Sequence, residues 1–207
     1  MDIEYKEVIS FSKLKTCLKD DGRSLKWLAE KCGIDQVRIS QIARNIAFPK
    51  TDLIAKICSV LKVPVSEVVE FKLDINEKKE AWFRDRELPY SPDGEISGEV
   101  TYEPLRLMMT MYLDYINGLK DSDKTVNDLL DMIEPYRRRN GIADGTEQAR
   151  KVSSKNTGGK SKRKYITKGI IPEIRTKLKH DRAVNIRTIY DICNFFGCSI
   201  DWVMSYK

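Results

Sequence analysis

Apolar residues recur at helical spacing through residues 1–71 and predict five short helices. The first follows Phe11, Leu14 and Leu18 and ends near Asp21-Gly22. The second and third lie within residues 25–45. The apolar positions of the fourth and fifth are Leu53, Ile54, Ile57, Cys58, Leu61, Val65, Val68 and Val69. So many helices in so short a span predict a compact all-α domain.

The stretch Leu25–Asn45 predicts two helices that fold against each other across a sharp turn. Ala29 lets the two helices cross closely, and Gly33 can adopt the positive φ that a tight turn requires. Ile39 and Ile42 are predicted to face inward from the second of these helices, and Ile34 faces inward from the turn before it. This spacing is the helix-turn-helix pattern.

The third predicted helix leaves a polar row facing outward, consisting of Gln36, Val37, Arg38 and Gln41. Glutamine and arginine side chains hydrogen-bond base edges, and a small apolar residue can contact a thymine methyl group. The nearby cations that could bind backbone phosphates are Arg44, Lys50 and Lys26. An ordinary solvated helix face is the alternative interpretation, but the complete spacing around the row favours contact with the DNA major groove.

Residues 9–71 resemble the Cro and lambda-repressor type of helix-turn-helix regulator. The segments LAEKCGIDQVRISQI and KTDLIAKICSVLKVPVSEVV follow that family's pattern at nearly every core position. The resemblance implies that the third helix enters the major groove, where its outward row reads bases and Arg44 binds the backbone. Asn45 departs from the family, which generally has glycine there, although asparagine also tolerates the left-handed conformation.

An internal repeat appears when residues 50–71 are placed over residues 185–206, at an offset of 135. KTDLIAKICSVLKVPVSEVVEF then lies over NIRTIYDICNFFGCSIDWVMSY without a gap. Upstream, Ile166–Ile174 matches Ile34–Ile42 at an offset of 132, which predicts a slightly longer loop after the third helix of the second copy. The C-terminal part therefore also resembles the last three helices of the same family.

The predicted organisation is two lambda-repressor-like five-helix domains, residues 1–71 and 101–207, joined by a linker. The first two helices of the second copy are expected near residues 103–118 and 124–139. A flexible basic insertion near residues 140–164 would replace its turn. The linker, residues 72–100, contains Pro92-Asp93-Gly94 and could form a small hairpin or stay extended. Trp82 and Phe83 are expected to pack one domain on the other.

Positive charge is concentrated in the C-terminal part of the chain. The net charge is +2 for residues 1–71, −5 for 72–145, +6 for 146–164 and +3 for 165–207, which favours a polyanionic partner for the last third. The candidate phosphate-binding residues of a basic arm are Lys160, Lys162, Arg163 and Lys164, and those of the second domain are Lys168, Arg175, Lys177 and Lys179.

The helix of the second copy that corresponds to the DNA-reading helix has residues that are poorly suited to that role. Gly169 and Pro172 are poor helix-interior residues, and Glu173 carries the wrong charge for phosphate. Two interpretations of the second domain therefore stay open: it is remodelled for dimerisation or orientation, or it is a second DNA-reading domain.

Residue content argues against an enzyme. The sequence has one histidine, no phosphate-cradling glycine loop and no HExxH, so no catalytic set is recognisable. The five cysteines include no CxxC pair, which predicts reduced buried thiols, with no metal and no other cofactor. No leader or spanning segment is visible, so we expect a cytoplasmic protein, encoded by a bacterium or a phage as the family resemblance implies.

The predicted function is a sequence-specific regulator of transcription, a repressor, that binds double-stranded DNA. A homodimer is possible, and no small-molecule ligand or membrane partner is evident. An antitoxin-like interaction protein, in which the C-terminal domain mediates dimerisation or partner binding, is the alternative.

Overall fold

The N-terminal helices lie close to the predicted positions. The computed structural model describes residues 3–74, 82–83, 86–88, 97–120, 124–133, 170 and 172–207. The α-helices before residue 75 are α1 (Ile3–Val8), α2 (Lys13–Asp20), α3 (Leu25–Cys32), α4 (Gln36–Ala43) and α5 (Thr51–Leu61). The fifth predicted helix is a 3₁₀ helix, Val65–Glu67. The sequence pattern did not predict α1.

The C-terminal helices are α6 (Glu103–Lys120), α7 (Val126–Met132), α8 (Pro172–Lys179) and α9 (Ile186–Phe196), followed by a second 3₁₀ helix, Ile200–Trp202. The helix α8 begins with Pro172, because proline fits the first turn, where its missing N–H would have no intrahelical partner. The described part of the chain is mostly helical, as expected. No helix in it is long and apolar enough to cross a lipid bilayer.

Two short antiparallel ladders accompany the helices. Strand β1 (Ile9–Ser10) pairs with β2 (Glu70–Phe71), and β3 (Val100–Thr101) pairs with β4 (Ser205–Tyr206). Each ladder joins the first residues of one half of the chain to its last residues. Strands of two residues carry no alternation to detect, so the sequence pattern could not predict them.

The two halves pack against each other in one hydrophobic core. The residue before α5, Lys50, forms an isolated antiparallel bridge with Asn185, the residue before α9. The Ser66 N–H donates to Asp201 Oδ1 at 3.1 Å, so the two 3₁₀ helices also meet. Both pairs join positions that are 135 residues apart, the offset of the sequence repeat.

Trp82 and Phe83, from the segment between the halves, are buried as predicted. Their rings contact that of Trp202, with centroids 6.4 and 5.1 Å away. Phe83 also lines a cavity with residues of the N-terminal half, which places the pair at the seam between halves. The proposed hairpin at Pro92-Asp93-Gly94 lies outside the described residues.

Hydrogen bonds that end α4 recur at the end of α8. The pairs are Arg44 N to Ser40 O and His180 N to Thr176 O, both 3.2 Å, and Ile46 N to Gln41 O and Arg182 N to Lys177 O, both 2.8 Å. Each match has an offset of 136. The predicted offset of 132 was therefore wrong by one helical turn, and the loop after α8 is one residue shorter than that after α4. Apolar spacing alone fits either register, because a helical pattern nearly repeats after four residues.

The residue that follows this helix end is left-handed in both halves. Asn45 has a φ of 58° and Asp181 a φ of 51°. Asn45 Oδ1 accepts the Phe11 N–H at 2.7 Å, and Asp181 Oδ1 accepts the Tyr102 N–H at 2.9 Å. In each half the same side-chain contact ties the helix end to the residue after the first strand.

Candidate nucleic-acid interface

Local hydrogen bonds fix the turn between α3 and α4. The Ser24 hydroxyl accepts the Trp27 N–H at 3.1 Å and caps α3. Gly33 ends that helix in the left-handed region, with a φ of 62°. Asp35 Oδ1 then accepts the Val37 N–H at 2.5 Å and caps α4. The positive φ predicted for Gly33 is confirmed, and the turn together with the Asp35 cap sets where α4 begins.

The inner face of α4 is fully packed. Ile39 and Ile42 have no exposed surface, and Ala29 on α3 is 3% exposed, which permits close crossing of the two helices. At the far end Asn45 stops the helix and binds the Phe11 backbone. The helix is therefore held at its start, along its inner face and at its end.

The outer face of α4 carries the predicted row. Gln36 and Arg38 are exposed, Val37 is 63% exposed, and Gln41 is half-buried. Arg38 makes no ion pair within the described part of the chain. The row thus presents amide, guanidinium and methyl groups that the fold itself does not use.

The cations predicted to contact phosphate lie in or next to α3, α4 and α5. Arg44, Lys50 and Lys26 are all exposed. Lys26 lies in the first turn of α3, Arg44 follows α4, and Lys50 precedes α5. Of the three, Lys50 lines the same groove as Arg38.

An open groove of about 1070 Å³ lies beside α4, between the two halves. Its cationic lining residues are Arg38, Lys50, Lys56 and Lys207, and its acidic lining residues are Asp52, Glu99 and Asp181. The sequence reasoning missed Lys56 and Lys207. Lys56 could have been found as an outward position on α5, but the place of Lys207 depends on the long-range pairing of β4 with β3.

The negative charge of the Asp181 carboxylate is compensated by two cationic neighbours. It accepts hydrogen bonds from Arg106, from the Tyr102 N–H and from Lys207. Burial by itself would raise the pKa of Asp181, but these bonds outweigh it and lower the pKa to about 2. The groove wall near Asp181 therefore carries less net negative charge than the sequence suggests.

The second-domain candidates differ in their availability. The guanidinium of Arg175 is engaged within the fold, where Nε donates to the Ile170 carbonyl at 2.7 Å and Nη2 pairs with Asp131. Lys177 pairs with Glu173 at 2.7 Å on the surface of α8, and Lys179 is exposed. Lys168 and the basic arm, Lys160, Lys162, Arg163 and Lys164, lie outside the described residues.

Two short helices joined by a capped glycine turn, with an exposed polar face on the second, define a helix-turn-helix unit. The family model HTH_3, described as helix-turn-helix, matches residues 14–68 of this chain. That match spans α2 through the first 3₁₀ helix, so this segment is a helix-turn-helix domain. Comparison with curated proteins and with solved structures gives no significant match.

Proposed function

We propose that the chain is a sequence-specific double-stranded DNA-binding regulator of transcription that inserts α4 into the major groove. The observation that carries this proposal is the exposed row of Gln36, Val37 and Arg38 on a helix capped by Asp35 and tied at its end by Asn45, within the segment that matches the helix-turn-helix model. A helix with its reading face free and its other faces packed is what docking in a groove requires.

The row supplies a mixed set of base contacts. A glutamine amide pairs with adenine, an arginine guanidinium pairs with guanine, and a valine methyl group packs against thymine. Arg44, Lys50 and Lys26 bind phosphates around the groove and set the register of the helix on the duplex. Occupancy of the operator by this domain represses transcription. The same family resemblance supports a bacterial or phage origin and a cytoplasmic location.

The second half of the chain is proposed to be a divergent helix-turn-helix copy that pairs with the first. The support is the set of contacts between equivalent positions, Lys50 with Asn185 and Ser66 with Asp201, as expected near a pseudo-twofold axis. Two such units would cover half-sites one helical turn apart, about 34 Å. One chain would then occupy both half-sites, as the two subunits of a homodimer do.

Stoichiometry tests this pairing. We expect the protein to sediment as a monomer of 23.9 kDa and to bind one chain per duplex site, because the pairing face of each half is covered by the other. Two chains on one minimal site would contradict it.

The basic arm is proposed to bind phosphates beside the second unit. Residues 146–164 carry a net charge of +6, and each phosphate that a cation neutralises steepens the salt dependence of binding. Replacing Lys160, Lys162, Arg163 and Lys164 by Gln should therefore flatten that dependence and leave site choice nearly intact. An unchanged slope in a salt titration would rule out the arm.

Selection of bound sequences from random duplex DNA tests the proposed function as a whole. The wild-type chain should enrich a defined sequence, and Gln36→Ala should blur one position of it. Thr16→Ala, on the exposed side of α2, is a matched control and should select the wild-type sequence. Enrichment of no sequence by the folded wild-type protein would overturn the proposal.

A further inference from the structure

The repeated hydrogen bonds at the ends of α4 and α8 assign equivalent positions on the two helices. At the offset of 136, Glu173 occupies the position of Val37, and Lys177 that of Gln41. His180 likewise takes the position of Arg44, a predicted phosphate contact. The positions that correspond to the reading row of α4 therefore carry Pro172, Glu173, Ile174 and Lys177. Ile174 packs against the core, so Glu173 and Lys177 are the polar groups that this face offers.

This face of α8 is free of the contacts that join the two halves. The described hydrogen bonds between the halves include those of Tyr5 on α1 with Asp191 on α9, of Ser66 with Asp201, and of the Thr51 N–H with the Val184 carbonyl at 3.0 Å. The Glu173 side chain is 71% exposed and bonds to Lys177 alone among the described residues. Pairing of the halves is thus performed elsewhere, and α8 keeps a solvent-facing side.

The chemistry of Glu173 restricts what it can contact in DNA. A carboxylate only accepts hydrogen bonds, and the amino group of cytosine is the donor that glutamate reads in the major groove. A neighbouring cation offsets its repulsion from phosphates. The cation shown beside it is Lys177, at 2.7 Å, which also lowers the pKa of Glu173 by its hydrogen bond and charge and so favours the ionised form.

We propose that α8 reads a second half-site in which Glu173 selects a cytosine, so that the chain recognises an asymmetric, two-part sequence. This inference rests on the proposed function of the chain. It departs from a palindromic operator, because α4 and α8 offer different groups at every equivalent reading position.

Selection from random duplex DNA with the full-length Glu173→Gln variant tests the proposal. Glutamine keeps the size of the side chain but pairs with adenine, so one cytosine of the second half-site should be replaced by adenine. The preference at that position should change by roughly ten- to a hundred-fold. The half-site under α4 should stay the same. Glu87→Gln, an exposed acid between the two halves, is the control and should leave both half-sites unchanged.

Three outcomes would overturn the proposal, and they separate it from the proposed function. If Glu173→Gln selects the same two half-sites as the wild type, only the claim that Glu173 reads a base is rejected. If the protein selects a single half-site and that half-site depends on Gln36, base reading by α8 is rejected and DNA binding by α4 still stands. No selected sequence at all would reject both. Circular dichroism of the variant checks folding, which should be intact because the Glu173 side chain is 71% exposed.

Discussion

Asn45 and Asp181 hold equivalent places and bind the backbone in the same way, but only Asp181 is charged. Asn45 is neutral, and the second contact of its amide is with Ser10 at 3.4 Å. Asp181 instead pairs with Arg106 at 2.9 Å and with Lys207 at 3.1 Å. The same backbone requirement is thus met by an amide in one half and by an ion-paired carboxylate in the other.

Asp181→Asn should make stability less dependent on acid pH. The pKa of Asp181 is lowered to about 2 in the folded protein, whereas an unfolded aspartate has a pKa of about 3.9. Its charge therefore stabilises the fold above about pH 4, and this contribution is lost as pH falls towards 2. Allowing for solvent screening, the variant should lose about 1 kcal/mol of unfolding free energy at pH 7.

Urea unfolding at pH 7 and at pH 2.5 measures this effect. Asparagine can keep the bond to the Tyr102 N–H, as Asn45 does for Phe11, so the variant should remain folded. The difference between wild type and variant should shrink at the lower pH. A difference that stays constant would contradict the role of the charge.

At the scale of elements, α3 and α4 were the best predicted part of the chain. Their limits depend on short-range signals, namely Ser24, Gly33 and Asp35, which act within a few residues and can be read directly from the sequence. The position of α8 was predicted less well. Its end is set by Asp181 in the left-handed region, and aspartate signals that conformation far more weakly than glycine does.

Gly33→Ala should destabilise the helix-turn-helix domain through backbone strain alone. The φ of 62° is unfavourable for alanine, while the nearest atom to an added Cβ is Lys56 Nζ at 3.9 Å, so no clash arises. We expect a loss of about 1–2 kcal/mol in urea unfolding. Gly118→Ala, at an open position inside α6, is the matched control and should gain about 0.5–1 kcal/mol. Equal effects of the two substitutions would contradict this account of the turn.

At the scale of the whole molecule, the two halves are joined by buried contacts that the sequence could not predict. Thr51 has no exposed surface, and its hydroxyl bonds to the Tyr102 hydroxyl at 2.5 Å and accepts the Val184 N–H at 3.0 Å. These partners are distant in sequence, and no periodic pattern connects them. The repeat at an offset of 135 predicted similar units, but only tertiary structure shows which faces meet.

Thr51→Val should destabilise the protein more than Tyr102→Phe. Valine has the shape of threonine but leaves both the Tyr102 hydroxyl and the Val184 N–H without this partner, which costs about 1–3 kcal/mol. Phenylalanine removes one hydroxyl and leaves Thr51 bonded to Val184, at a cost of about 1 kcal/mol. Urea unfolding ranks the two variants, with exposed Thr16→Val as the control. The reverse order would show that this pair does not join the halves as described.

The affinity of the Gln36→Ala variant for DNA decides whether α4 reads bases. Binding should be measured at one salt concentration on the selected duplex and on a random duplex, because phosphate contacts alone support binding to both. If α4 reads bases, the variant should lose about 1–3 kcal/mol of binding free energy on the selected duplex and nothing on the random one. An equal loss on the two duplexes would contradict base reading by this helix.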